Sequence, residues 1–123
     1  MRIFAKGLIA DTLILHSAGT ECLKVEYKFN AEVHWAEVMQ IRLDLSRAME
    51  KKTPDLEYIG SRVIDLFVLV FGKECTDNLL KFFEGSLESL INNMTPVFKY
   101  KIYPACDKAR KRAIKDRKAR KRG

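Results

Sequence analysis

TPDLEYIGSRVIDLFVLVFG, residues 53–72, decides the fold. Its second half, VIDLFVLVF, is rich in β-branched and aromatic residues and by composition suits a buried strand. Its first half reads as the start of a helix: Thr53 as the cap, Pro54 at the first helical position, Asp55 adding negative charge to the first turn. Leu56, Ile59, Val63, Phe67 and Val70 then recur at helical spacing, with Asp65 the one polar residue between Val63 and Phe71. Gly72 supplies a stop. The start decides for a helix, apolar nearly all round and therefore central.

Upstream, the period is two. In LKVEYKF, Leu23, Val25, Tyr27 and Phe29 alternate with Lys24, Glu26 and Lys28, which predicts a half-buried strand. TLILHS (12–17) is a second candidate, with a turn at Gly19 between the two, and residues 2–5 a short third. From Asn30, a candidate N-cap, the period changes to helical: Ala31, Trp35, Val38, Ile41, Leu45, Ala48 and Met49 form one stripe. Downstream, Thr76-Asp77 suggests the cap of a short helix stopped at Gly85, and Ser86 the cap of another. Thr95-Pro96 repeats the arrangement of Thr53-Pro54. Val97, Phe98, Ile102, Cys106, Ala109 and Ala113 then keep an apolar spacing into the tail. The expected architecture is α+β, mostly α, with short N-terminal antiparallel strands packed on four or five helices. Residues 1–106 read as one globular domain (1–29 strands, 30–106 helices) and residues 107–123 as a basic helical tail.

Charge divides the chain the same way. The 123 residues carry 23 Lys and Arg against 16 Asp and Glu, a formal net charge of +7. The tail alone holds ten cations (Lys108, Arg110, Lys111, Arg112, Lys115, Arg117, Lys118, Arg120, Lys121 and Arg122) against Asp107 and Asp116. That leaves 13 cations and 14 anions in residues 1–106. A folded nucleic-acid-binding domain spreads its cations over one face; here only the tail could supply such a field. Its Ala, Lys and Arg propagate helix well, so a final helix that frays into solvent is expected.

Chemistry is harder to find. Cys22, Cys75 and Cys106 are odd in number and far apart, with no C-x-x-C and neither histidine near them in sequence, which argues against a disulfide framework and against a zinc site. They are expected to be buried and inert. His34 and His16 read as boundary histidines, and Asp65 as paired with Arg62 or Lys81, since a carboxylate in an apolar helix needs a partner. Gly72-Lys73 lacks the first glycine of a phosphate loop. A non-enzyme without cofactor or metal is expected. Asp11 interrupts the N-terminal apolar stretch, and the longest apolar run, residues 66–71, is far short of a membrane span, so a cytoplasmic protein is expected. Tyr100 and Tyr103 beside Lys99 and Lys101 give a weak form of the basic–aromatic interleaving of nucleic-acid binders, and equally an amphipathic face with snorkelling lysines.

With the helices placed, TPDLEYIGSRVIDLFVLVFGKE (53–74) and NLLKFFEGSLESLINNMTPVFKYKIYPACDKARK (78–111) resemble tail assembly chaperones of long-tailed bacteriophages infecting Gram-positive hosts. The features carrying the resemblance are the apolar helix running into Phe71-Gly72-Lys73-Glu74, then Phe83-Glu84-Gly85, then a proline-containing amphipathic helix with a basic end. The resemblance implies a protein of the host cytoplasm that binds the tape measure protein, helps recruit tail tube subunits and is absent from the mature virion. It also implies that a longer frameshifted form is made in many such cases. Recognition of a long helical partner in an apolar groove would suit such a protein. The expected seam is Phe82, Phe83, Leu87, Leu90 and Phe98. A small nucleic-acid-associated protein using its basic tail is the alternative, and a homo-oligomer through exposed strand edges stays open.

Overall fold

The computed structural model describes residues 7–16 and 21–122, with side chains as far as residue 118. The candidate strand at 2–5, Ser17 and the turn at Gly19 lie outside the described residues.

Strands β1 (Leu8–His16) and β2 (Cys22–Asn30) pair antiparallel over nine residues, from Leu8↔Asn30 to His16↔Cys22. The period-two pattern fixes this register. It places Ile9 with Phe29, Leu13 with Val25 and Leu15 with Leu23 on the face that meets the helices. Helix α1 (Ala31–Met49) follows β2 without a loop. Asn30 caps it as expected, its Oδ1 accepting from the Glu32 N–H at 3.0 Å, a contact typically worth about 1 kcal/mol.

Residues 56–71 are helical, α2 (Leu56–Phe71), as the start signals imply, but the cap is Asp55 rather than Thr53. Asp55 Oδ1 accepts from the Tyr58 N–H at 3.1 Å. Pro54 therefore precedes the helix instead of opening it. Nor is α2 apolar all round. Val63, Leu66, Phe67 and Val70 are buried, Asp65 and Val68 are exposed, and Leu56 is 77% exposed. Gly72 ends α2 at φ 85° and ψ 162°, a region open essentially to glycine alone, and α3 (Lys73–Phe82) starts at the next residue. Thr76 is thus inside α3, not its cap. Its hydroxyl donates to the Gly72 carbonyl at 2.8 Å, so this buried side chain is satisfied, whereas the buried Tyr27 hydroxyl has no hydrogen-bond partner among the described residues.

Helix α3 ends in a Schellman motif, with Glu84 N–H to Lys81 O at 3.0 Å and Gly85 N–H to Leu80 O at 2.7 Å. Glu84 holds the left-handed position at φ 57°, where a β-carbon costs about 1–2 kcal/mol. Glu84→Gly is accordingly expected to stabilise the protein by about 1 kcal/mol net of the added chain entropy, read as a rise in thermal midpoint of several degrees.

Ser86 caps α4 (Leu87–Val97), accepting from the Ser89 N–H at 3.2 Å. Thr95-Pro96 does not repeat the role expected of it. Thr95 Oγ1 donates back to the Ile91 carbonyl at 2.6 Å and the helix runs on through Pro96. A five-residue π turn (Phe98–Ile102) joins α4 to α5 (Tyr103–Arg122), with the Tyr103 N–H reaching the Phe98 carbonyl. Pro104 accounts for this widening. In an unbroken α-helix its ring would meet the carbonyl four residues back, and its missing N–H would leave that carbonyl unpaired.

The boundary expected after residue 106 falls inside α5. Ile102, Cys106 and Ala109 are each fully buried in the core that holds Ala31, Val38 and Phe29. Beyond them Arg112 pairs with Glu32 on α1. The first two turns of the basic segment are part of the globular unit, and only the residues after them extend from it.

Candidate functional site

An aromatic chain crosses the core from the hairpin to one open flank. Tyr27 meets Phe71 edge-on at 4.8 Å between ring centroids, Phe71 lies 5.9 Å from Phe98, Phe67 lies 5.1 Å from Phe98, and Phe98 lies 5.7 Å from Tyr103. At the Phe98–Tyr103 end the packing stops short of closing. There an apolar groove of about 480 Å³ opens between helices. Leu45 and Met49 form one wall at the C-terminal end of α1, and Ile59 and Val63 the α2 side. Ile91 and Thr95 of α4 face them, with Phe67 and Phe98 lining the groove from the core. The π turn sets the remaining border, because Lys99 and Tyr103 both reach it.

The polar groups at this groove sit on its rim. Lys99 and Thr95, both exposed, are its polar lining side chains beside the Tyr103 hydroxyl. Arg42 lies 3.9 Å above the Tyr103 ring and 3.8 Å from Asp107, which fixes that ring against α1. Burial pushes the Tyr103 hydroxyl's pKa up, the nearby Arg42 charge working in the opposite direction. Met49, read from the sequence as the end of the α1 core stripe, is 66% exposed. It is the accessible apolar side chain of this wall.

The five residues expected to form a seam do not form one. Leu90 is fully buried and Phe98 is 5% exposed, so both belong to the core, and Phe98 alone of the five lines the groove. Leu87 is half-buried against Gly60, where an added β-carbon would come within 3.3 Å of its Cδ2. Phe82 and Phe83 are both half-buried and stack edge-on at 5.1 Å at the end of α3. Sequence reasoning missed Leu45, Met49, Ile59 and Ile91. Met49 alone carried a signal, as the last residue of its stripe, whereas Leu45 and Ile59 lie inside theirs.

The tail cations fall into two groups. Arg112 is half-buried and spoken for by Glu32. Lys108, Arg110, Lys111, Lys115, Arg117 and Lys118 are exposed, and among the described residues none of these six makes an ion pair. The side chains of Arg120, Lys121 and Arg122 lie outside those described.

The remaining candidates resolve into structural roles. Arg62 donates to Asp44 at 2.8 Å and to Asp65 at 2.9 Å, so Asp65 has the Arg62 partner expected of it and the pair ties α1 to α2. His34 stacks on Phe29 at 5.8 Å. Cys106 is buried and Cys75 half-buried, but Cys22 is exposed, contrary to expectation, with its Sγ 3.1 Å from His16 Nδ1. Among the described residues no three His, Cys, Asp or Glu side chains gather as a metal site, and no helix is long and apolar enough to cross a membrane. Comparison with protein-family models, curated proteins and solved structures finds no match to this chain.

Proposed function

We propose that this protein is a tail assembly chaperone of a long-tailed bacteriophage, which holds amphipathic helical segments of the tape measure protein in its apolar groove and helps recruit tail tube subunits. The observation that carries the reading is the groove itself: apolar walls from α1, α2 and α4, polar groups confined to the rim, and an exposed methionine at its edge. Such a shape accepts the apolar stripe of a helix, with anchors at i, i+3, i+4 and i+7. Met49 adapts to irregular partner surfaces because its unbranched thioether repacks at low cost. Lys99 on the rim complements an acidic residue flanking that stripe. The residues that resemble the chaperone family add the identity of the partner.

Co-expression with the tape measure protein tests this. The wild-type protein is expected to keep the tape measure protein soluble and to co-purify with it. Met49→Asp places a charge on the groove wall at an exposed position, so the fold survives while binding falls at least tenfold. Equal recovery of the soluble complex with Met49→Asp and wild type would remove the groove from the proposal.

A further inference from the structure

The face of the molecule bearing Tyr100 carries a feature that partner-helix binding does not use. Tyr100 is 69% exposed, an unusual position for a tyrosine in a small protein with a full core. Lys99 Nζ lies 5.4 Å from its ring centroid. With Lys101, Pro104 and Lys108 it lines a shallow open notch of about 320 Å³ against the backbone turn at Gly7. From that notch Lys108, Lys111, Lys115 and Lys118 continue along α5 at spacings of three, four and three, which keeps them on one face. All four are exposed and, among the described residues, free of ion pairs. The track from Tyr100 to Lys118 is about 27 Å long at helical rise.

We propose that this track binds single-stranded nucleic acid, with one base stacked on Tyr100 and successive phosphates on Lys108, Lys111, Lys115 and Lys118. An exposed aromatic ring at the head of a cationic path is the combination that holds single strands without reading sequence. Three other anionic partners fit less well. A membrane surface needs large apolar side chains on the inserting helix, and Ile114 is the one exposed large apolar side chain that α5 shows. Protein interfaces are depleted of lysine at their centres and rely on clustered anchors, whereas this track is lysine with a single ring at one end. A duplex offers no unstacked base to Tyr100. It would also have to admit a helix whose first turns are packed against α1 through Ala109 and Arg112.

Fluorescence anisotropy with a labelled oligothymidylate, titrated with full-length protein across salt, tests the site. Binding is expected with a slope of log K against log salt of about −3, four phosphate contacts at roughly 0.7 each. Tyr100→Ala is expected to weaken binding about tenfold at unchanged slope, because stacking releases no counterions. Lys115→Gln combined with Lys118→Gln should flatten the slope by about 1.4. All three positions are exposed, and an unchanged thermal midpoint checks that the fold is intact. An unaltered affinity for Tyr100→Ala would overturn the proposal. So would equally tight binding of the matching duplex, which would assign the cations to duplex phosphates. Equally tight binding of polyglutamate would also overturn it and reassign the track to an acidic protein partner. Met49→Asp should leave oligonucleotide binding unchanged, so failure here and failure of the groove are separately visible.

Discussion

A chain cut after Cys106 is expected to lose its cooperative thermal transition, while one cut after Lys115 keeps it. The basic segment looks dispensable by composition, yet its first turns complete the core. Removing residues 107–123 deletes Ala109, which is fully buried, and the partner of Glu32 on α1. It also deletes Asp107, which steadies Arg42 over Tyr103. Uncovering the α1 face exposes apolar surface at about 25 cal/mol per Å², and the severed polar contacts add about 1 kcal/mol each. The sum is on the order of 3–6 kcal/mol, a large part of the 5–15 kcal/mol that holds a typical domain together. Circular dichroism melts of the two truncations decide the matter. A sharp, near-wild-type transition for the shorter chain would place the boundary back at residue 106.

The second large effect is on alkaline stability. Burial pushes the Cys106 thiol up to about 11 and the Tyr27 hydroxyl up to about 12. Neighbouring Asp107 and Asp11 add to these shifts by repelling the charged forms. Both groups have folded-state pKa values above their unfolded ones, so the folded state holds its protons longer and stability falls as pH rises. The loss begins near pH 9, the ordinary thiol value, and is complete above the folded-state values of about 11 and about 12. Half-buried Cys75 and Tyr103 shift in the same direction. Together Cys106 and Tyr27 represent on the order of 5 kcal/mol across that window. Urea midpoints taken from pH 8 to 11 should fall steadily, and Cys106→Ala should remove the early part of the fall. A flat profile to pH 11 would show that these groups ionise in place.

Much of the fold was legible because its signals are local. Alternation in LKVEYKF set a register, Asn30 and Ser86 are caps whose partners lie within three residues, and the Phe98–Ile102–Cys106–Ala109 spacing marked the buried face of the last helix. What was misread involves competition between local options. Thr53 and Asp55 both suit a cap, and the residue that wins is the one whose carboxylate reaches the Tyr58 N–H. Thr76 resembles a cap but sits one turn into a helix that Gly72 has already begun. Thr95-Pro96 resembles a helix start, yet the helix runs on through it, and the widening comes later, at the π turn before Pro104. The groove was hidden for a different reason. Exposure of Met49 at the end of a core stripe depends on where α2 and α4 stop covering α1, which periodicity cannot express. The expected seam failed on the same point, since Leu90 and Phe98 are apolar enough for a surface anchor and equally for the core that took them.

Two ion pairs that join N-terminal elements to C-terminal ones bear on the order in which the molecule assembles. Asp11 pairs with Lys101 and Glu32 with Arg112, partners 90 and 80 residues apart. Closing loops of that length costs entropy that short-range contacts do not, and the cost falls before the burial of Ala109 and Cys106 can offset it. The hairpin's apolar face meets α2 through Tyr27 and Phe71, but α1 keeps part of its own apolar face open until α5 docks with Cys106 and Ala109. Before α5 docks, the folding chain carries an open-edged hairpin beside an uncovered α1 face, and is itself in need of protection.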